Sequence, residues 1–108
     1  MNGKLSNIGF IIISTLLGAV GQLLFKYSFG STEFAAVMSA GIIVYFISTL
    51  FYFYVLSRTH LSWAYSFGGL AYIFAVLFAA VLLNENVPLL RWIGVFTIFL
   101  GVVLIGLT

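Results

Sequence analysis

The sequence has no cysteine and no aspartate, and only one proline and one histidine among its 108 residues. Without cysteine, neither disulfides nor thiolate ligands contribute. A lone His60 cannot build a metal site, and the chain shows no Ser-His-Asp grouping and no phosphate-cradling loop. Charge is also scarce: Lys4, Lys26, Arg58, Arg91, Glu33 and Glu85 are its only formally charged residues. An average soluble domain of this length carries about 27. What fills the chain instead is apolar: 64% is hydrophobic and 19% aromatic, with 12 Phe. A soluble domain this small cannot hide so much apolar surface, because its core is limited by surface-to-volume scaling. The composition excludes a soluble domain, a disordered chain and a nucleic-acid-binding module, and leaves an integral membrane protein.

The charges divide the chain into apolar stretches. There are 21 uncharged residues between Lys4 and Lys26, 24 between Glu33 and Arg58, 24 between His60 and Glu85, and 17 after Arg91. A helix crosses the hydrocarbon core with about 20 apolar residues, in a range of about 17–25. Pro88, Leu89 and Leu90 extend the last stretch, and proline is tolerated in a first helical turn. The reading is an all-α membrane protein, one domain over 1–108, with four transmembrane helices at about 8–27, 34–57, 61–83 and 88–107. Short loops make neighbouring helices antiparallel hairpins. Continuous rather than alternating apolar runs disfavour a barrel.

A signal peptide is the competing reading of the N-terminus, from Lys4, the apolar run and the small residues between Gly18 and Gly21. The run's continuation through Leu23, Leu24 and Phe25 argues against it. Four spans put Lys4 and Arg58 on one side and Lys26 and Arg91 on the other. The positive-inside rule then gives almost no preferred orientation. Either chance explains the tie, or the chain pairs with an oppositely oriented partner.

Several local patterns occur in a definite order. The first helix ends in Gly21-Gln22-Leu23-Leu24-Phe25-Lys26-Tyr27-Ser28. The third starts Leu61-Ser62-Trp63-Ala64-Tyr65 and runs into Gly68-Gly69. Asn84-Glu85-Asn86-Val87-Pro88 precedes the fourth, which reads Arg91-Trp92-Ile93-Gly94-Val95 and later Gly101-Val102-Val103-Leu104-Ile105-Gly106. Over essentially the whole chain this order resembles the small multidrug resistance branch of the drug/metabolite transporter superfamily, EamA-like proteins included. It is most similar to the subunits of the 4-amino-4-deoxy-L-arabinose-phosphoundecaprenol flippase. The resemblance implies four-helix subunits that dimerise, with helices one to three around the transport pathway and helix four between subunits. It also implies a transporter rather than an enzyme, with no cofactor.

One departure bears on mechanism. Proton-coupled multidrug members carry a membrane-embedded glutamate three residues before the glycine that matches Gly21, and here that position is Gly18. Intramembrane carboxylates are costly and mark ion or proton pathways. The aromatic pattern of helix three is kept in part, with Tyr65 matching but Gly68 where a Trp is expected. Proton-coupled drug antiport is therefore disfavoured.

The candidate substrate-binding residues are Lys26, Arg91, Tyr65, Gln22, Ser66 and Glu33. Lys26 would attract a lipid phosphate as a point charge, and its alternative is snorkelling to the interface. Arg91 would clamp a phosphate with its fork of donors, and its alternative is a topology anchor or a pair with Glu85. Glu33 would meet a sugar amino group, against the simpler reading of a solvated loop carboxylate. Gln22, Ser14, Tyr65 and Ser66 would bond sugar hydroxyls or phosphate oxygens, or else neighbouring helices. Arg58 and His60 form a loop pair near the headgroups. Gly94 and Gly101 lie on one face of the last helix and suit subunit packing. Gly68-Gly69 permits a kink, with plain packing as the alternative. Trp63 and Trp92 read as interfacial belt residues. The run of aromatics from Tyr45 to Tyr54 suits either a prenyl chain or lipid.

The function expected is a transporter subunit that flips a polyprenyl-phosphate-linked sugar, of the aminoarabinose-phosphoundecaprenol type, across a bacterial inner membrane. Its partners would be membrane lipid and a similar four-helix subunit, in a homodimer or heterodimer, with no nucleic acid. The alternatives are an exporter of cationic or amphipathic compounds, or an accessory subunit of a membrane complex.

Overall fold

The computed structural model describes the backbone of residues 2–108 and the side chains of residues 5–108, so the Lys4 side chain lies outside the described residues. Among the described residues the chain is helical throughout, with five helices: α1 (Asn2–Ser28), α2 (Phe34–Arg58), α3 (Leu61–Phe67), α4 (Gly69–Leu82) and α5 (Leu89–Gly106). They supply four stretches long and apolar enough to span a membrane, namely Leu5–Ser28, Phe34–Arg58, Leu61–Leu82 and Leu89–Gly106. The third span, expected as one helix over 61–83, is divided at Gly68 into α3 and α4. The last helix starts one residue after Pro88, whose carbonyl accepts the Arg91 and Trp92 N–H groups.

The most extensive pairing is between α1 and α2. Their contacts descend one helix as they climb the other: Phe10 meets Phe51 and Tyr54, Ser14 meets Ser48, and Gly21 meets Gly41 and Tyr45. The pair is therefore antiparallel. Lipid supplies no hydrophobic drive between helices, so close packing and polar bonds hold them. A Cβ on Gly21 would lie 3.3 Å from the Gly41 carbonyl oxygen, and one on Gly41 would lie 2.8 Å from the Phe25 ring. A methyl at Gly21 would press on backbone, and one at Gly41 would displace the Phe25 ring. The buried Ser14 hydroxyl then donates 2.8 Å across to the Ser48 carbonyl.

At the other end of the bundle, Ile11, Val55, Ala64, Phe67 and Val102 form the buried core, drawing on four of the five helices. Trp63 stacks on Phe67 at 4.8 Å and packs against this core. Helix α5 runs antiparallel to the third span, since Gly69 faces Ile98 and Val102 while Gly106 faces Phe67. The molecule measures 47 × 33 × 18 Å. The short dimension is less than two helix diameters of about 10–12 Å. Such a slab leaves most side chains on an outer face, and large apolar residues such as Phe46, Leu90 and Leu104 are exposed. Lipid is the solvent that suits this surface.

Glycine positions separate packing within the chain from open surface. Gly21→Val is expected to lower stability by about 1–3 kcal/mol through overpacking. Gly94 and Gly101 have no atom within 4 Å of an added Cβ. Gly94→Val is expected to leave the stability of the single chain within about 0.5 kcal/mol of the parent. Reversible unfolding in mixed micelles separates the two.

Candidate functional site

A half-open groove of about 1010 Å³ is cut into one side of the bundle. Helix α1 supplies one wall with Ser14, Thr15, Gly18, Ala19 and Gln22. These residues recur every three or four positions, so they share a helix face. Helix α2 supplies Tyr45, Ser48, Thr49, Tyr52 and Phe53 by the same periodicity. The third wall is the broken span, with Tyr65 and Ser66 before the break and Ala71, Tyr72 and Ala75 after it. Helix α5 adds only Ile98. The walls are thus the first three spans, and none of the lining residues carries a formal charge.

The polar groups of the groove differ in what they offer a ligand. The Ser and Thr hydroxyls of α1 and α2 already donate to helix carbonyls: Ser14 to Ser48, Thr15 to Ile12, and Ser48 and Thr49 both to Tyr45. Each keeps lone pairs for accepting. Among the described residues, no hydrogen bond engages the Gln22 amide, the Ser66 hydroxyl or the hydroxyls of Tyr45, Tyr52, Tyr65 and Tyr72. These groups are free to donate. Four tyrosine rings also present flat apolar faces. The arrangement offers acceptors, donors and aromatic surface together on an otherwise apolar lining. It holds no nucleophile-base pair, and no group of three or more metal-ligating side chains occurs among the described residues.

The break in the third span is built into this wall. The Gly68 N–H bonds to the Tyr65 carbonyl and the Ala71 N–H to the Gly68 carbonyl, so the ladder tightens to spacings of three. A Cβ on Gly68 would sit 2.9 Å from the Tyr65 carbonyl oxygen. Irregular backbone at membrane depth is tolerated where it lines a cavity or is buried in protein, and here Gly68 and Gly69 line the groove. Gly18 lies in the same groove, 3.6 Å from Ser48 Oγ measured from a built Cβ. The place where a buried carboxylate was sought is bare backbone among hydroxyls.

Of the residues singled out in the sequence, Tyr65, Ser66 and Gln22 come together in the groove. Lys26 lies beyond them, in a small adjoining cleft that also reaches Glu85. Arg91 and Glu33 are exposed and line neither space. Gly94 and Gly101 face away from the chain's own packing. The aromatics of α2 do not form one face. Tyr45, Tyr52 and Phe53 line the groove, Phe51 and Tyr54 pack on Phe10, and Phe46 points outward. Tyr54 also lies under Arg58, whose Nη1 donates to its hydroxyl at 3.1 Å. The residues passed over were Thr15, Ser48, Thr49 and Tyr72. Tyr72 stands seven residues after Tyr65, and Ser48 and Thr49 lie between Tyr45 and Tyr52, so helical periodicity was the available signal.

A groove edged with hydroxyls and set between four apolar helices fits a multi-pass membrane protein. Residues 2–107 match the EamA-like transporter family, and the chain belongs to it. By family it is a membrane transporter, and its four long apolar helices fit that placement. No curated protein and no solved structure matches the chain.

Gly68→Ala is expected to cost about 1–3 kcal/mol and to shift Tyr65 and Ser66, because the added methyl meets backbone rather than a movable side chain. Thermal unfolding in detergent, compared with Gly30→Ala at an open loop position, checks this.

Proposed function

We propose that the chain is one subunit of a transporter that flips a polyprenyl-phosphate-linked sugar across the bacterial inner membrane. The observation that carries this reading is the large uncharged groove lined by hydroxyls and tyrosines. Moving a sugar headgroup through hydrocarbon costs several kcal/mol for each unpaired polar group. Donors and acceptors on the groove's lining would lower that barrier, while the open side leaves the prenyl chain in lipid. No covalent step is required.

Residue roles follow from position. Tyr65, Gln22 and Ser66 would bond the sugar hydroxyls. Lys26, at the end of α1, would hold the phosphate near the interface. Arg91 would gather the phosphate from outside the groove, and Glu33 would act only at the surface. The bare Gly18 position supports transport without a titrating intramembrane carboxylate. A slab open on one side encloses a pathway only with a second subunit, and many transporters place their site between two related halves. The outward Gly94 and Gly101 on α5 would pack that partner, whether a like or an unlike chain.

The same four tyrosines favour one rival. Aromatic faces attract cations within about 6 Å, which would suit export of small cationic or amphipathic compounds.

Reconstitution into liposomes carrying a polyprenyl-phosphate-hexose separates the two. Sugar arrival at the opposite leaflet is read by its oxidation with impermeant periodate. Tyr65→Phe, Gln22→Ala and Lys26→Ala are each expected to slow flipping roughly tenfold, the equivalent of about 1.4 kcal/mol. Unchanged flipping and lipid binding in both Lys26→Ala and Arg91→Ala would show the phosphate roles to be wrong. Absence of flipping alongside saturable tetraphenylphosphonium uptake would select the exporter.

A further inference from the structure

Asn7 on α1 is only 9% exposed. Yet among the described residues its Oδ1 has no hydrogen-bond partner. A buried polar group left unpaired costs free energy, and each case calls for a cause. A structural asparagine would bond across the helix contact, as the Ser14 hydroxyl does to the Ser48 carbonyl. At the Asn7 end of α2, the Ser57 and Thr59 hydroxyls instead donate to their own helix, at the Tyr54 and Val55 carbonyls.

Placement supplies the cause. Asn7, Ile11, Ser14, Gly18 and Gln22 follow one another at spacings of three and four, so they share one face of α1. Ser14, Gly18 and Gln22 line the groove. Ile11 is fully buried in the core with Val55 of α2, Ala64 and Phe67 of α3, and Val102 of α5. Asn7 stands one turn beyond Ile11, about 10 Å along the helix from Ser14 at 1.5 Å per residue. The register of α1 on α2 carries it to the level of Val55 and Arg58, on the side of the core away from the groove. This face of α1 is therefore polar or bare on both sides of one apolar residue.

We propose, on the reading of the groove as a transport path, that the path continues past Ile11 and that Asn7 is a hydrogen-bonding station for cargo on the far side. The dry core around Ile11 is then the closed gate between the two. Parting α1 from Ala64 and Phe67 would open the path toward the Arg58 end, as alternating access requires. The Asn7 amide oxygen would there accept from a hydroxyl of the passing headgroup. Closing the gate strands that oxygen, which accounts for its lack of a partner.

The test combines Asn7→Cys with Glu85→Cys, which stands at the opposite end of the bundle beside Lys26. The full chain in sealed vesicles is treated from outside with a membrane-impermeant methanethiosulfonate, and additions per chain are counted by intact mass. Each chain is expected to take one addition, at one cysteine or the other according to its orientation, and two once the vesicles are permeabilised. Ile11→Ala leaves a hole in the core and is expected to bring two additions in sealed vesicles. Two additions in sealed vesicles without Ile11→Ala, an Asn7→Cys inert after permeabilisation, or an Ile11→Ala without effect would each overturn the proposal. Asn7→Leu separates a cargo station from a fraying helix end. It is expected to keep or raise the melting temperature, since no bond is lost, and to slow flipping about tenfold, the effect of one lost hydrogen bond to cargo. Asn7→Ser is expected to recover part of the rate. Parent-rate flipping or a lowered melting temperature in Asn7→Leu would also overturn the proposal. The cysteine count needs no cargo, so it decides alone if the parent flips no sugar lipid, and a failed gate is distinct from a failed sugar reading.

Discussion

Because Gly21 and Gly41 carry no side chain, α1 and α2 pack almost backbone to backbone, and the placement of the groove's hydroxyls follows from that contact. The approach brings Ser14 within 2.8 Å of the Ser48 carbonyl. One such bond in a membrane is worth only about 0.6 kcal/mol on average. Its effect is positional more than energetic. With α1 and α2 fixed in register, Thr15, Gly18 and Gln22 face Tyr45, Thr49 and Tyr52 across one groove. Larger residues at either glycine would spread the helices and separate those walls.

The third span resolves a conflict that the membrane imposes. A continuous helix is the cheapest way to carry backbone through lipid. Gly68 gives up that continuity at the point where the span borders the groove. Gly68 keeps its own N–H and carbonyl bonded there, in a tighter turn. The break and the groove are therefore parts of one arrangement. The rest of the third span stays anchored, through Phe67 in the core and Gly69 against α5.

Much of this was legible in the sequence, for physical reasons. Charges are so costly in hydrocarbon that six of them sufficed to mark out four spans. The drug/metabolite transporter superfamily followed from motif order, and at that level the reading rests on the EamA-like match over residues 2–107. The groove was half legible. Gln22, Tyr65 and Ser66 stood out as polar residues in apolar helices. Ser48 and Thr49 were overlooked, and Tyr45 and Tyr52 were taken only as part of an aromatic run, because hydroxyl and aromatic groups read as ordinary membrane-helix content until their period is counted. The interruption at Gly68 was not readable as such, because a Gly-Gly pair serves packing as readily as a break. That Lys26 and Glu85 border the same small cleft lay beyond sequence reasoning. It depends on the left-handed turn at Asn84 and on which helices are neighbours, both of which are tertiary facts.

The central claim is that the groove holds water and polar ligand inside the bilayer. The chain's lack of cysteine makes one measurement direct. Single cysteines at Ser66, Tyr72 and Gly94 would be treated with a charged, membrane-impermeant methanethiosulfonate in sealed vesicles. The account predicts fast modification at Ser66→Cys and Tyr72→Cys, slowed by polyprenyl-phosphate-hexose, and little modification at Gly94→Cys. Ser66→Cys and Tyr72→Cys as inert as Gly94→Cys would contradict it, because the groove would then be a dry seam between helices rather than a path.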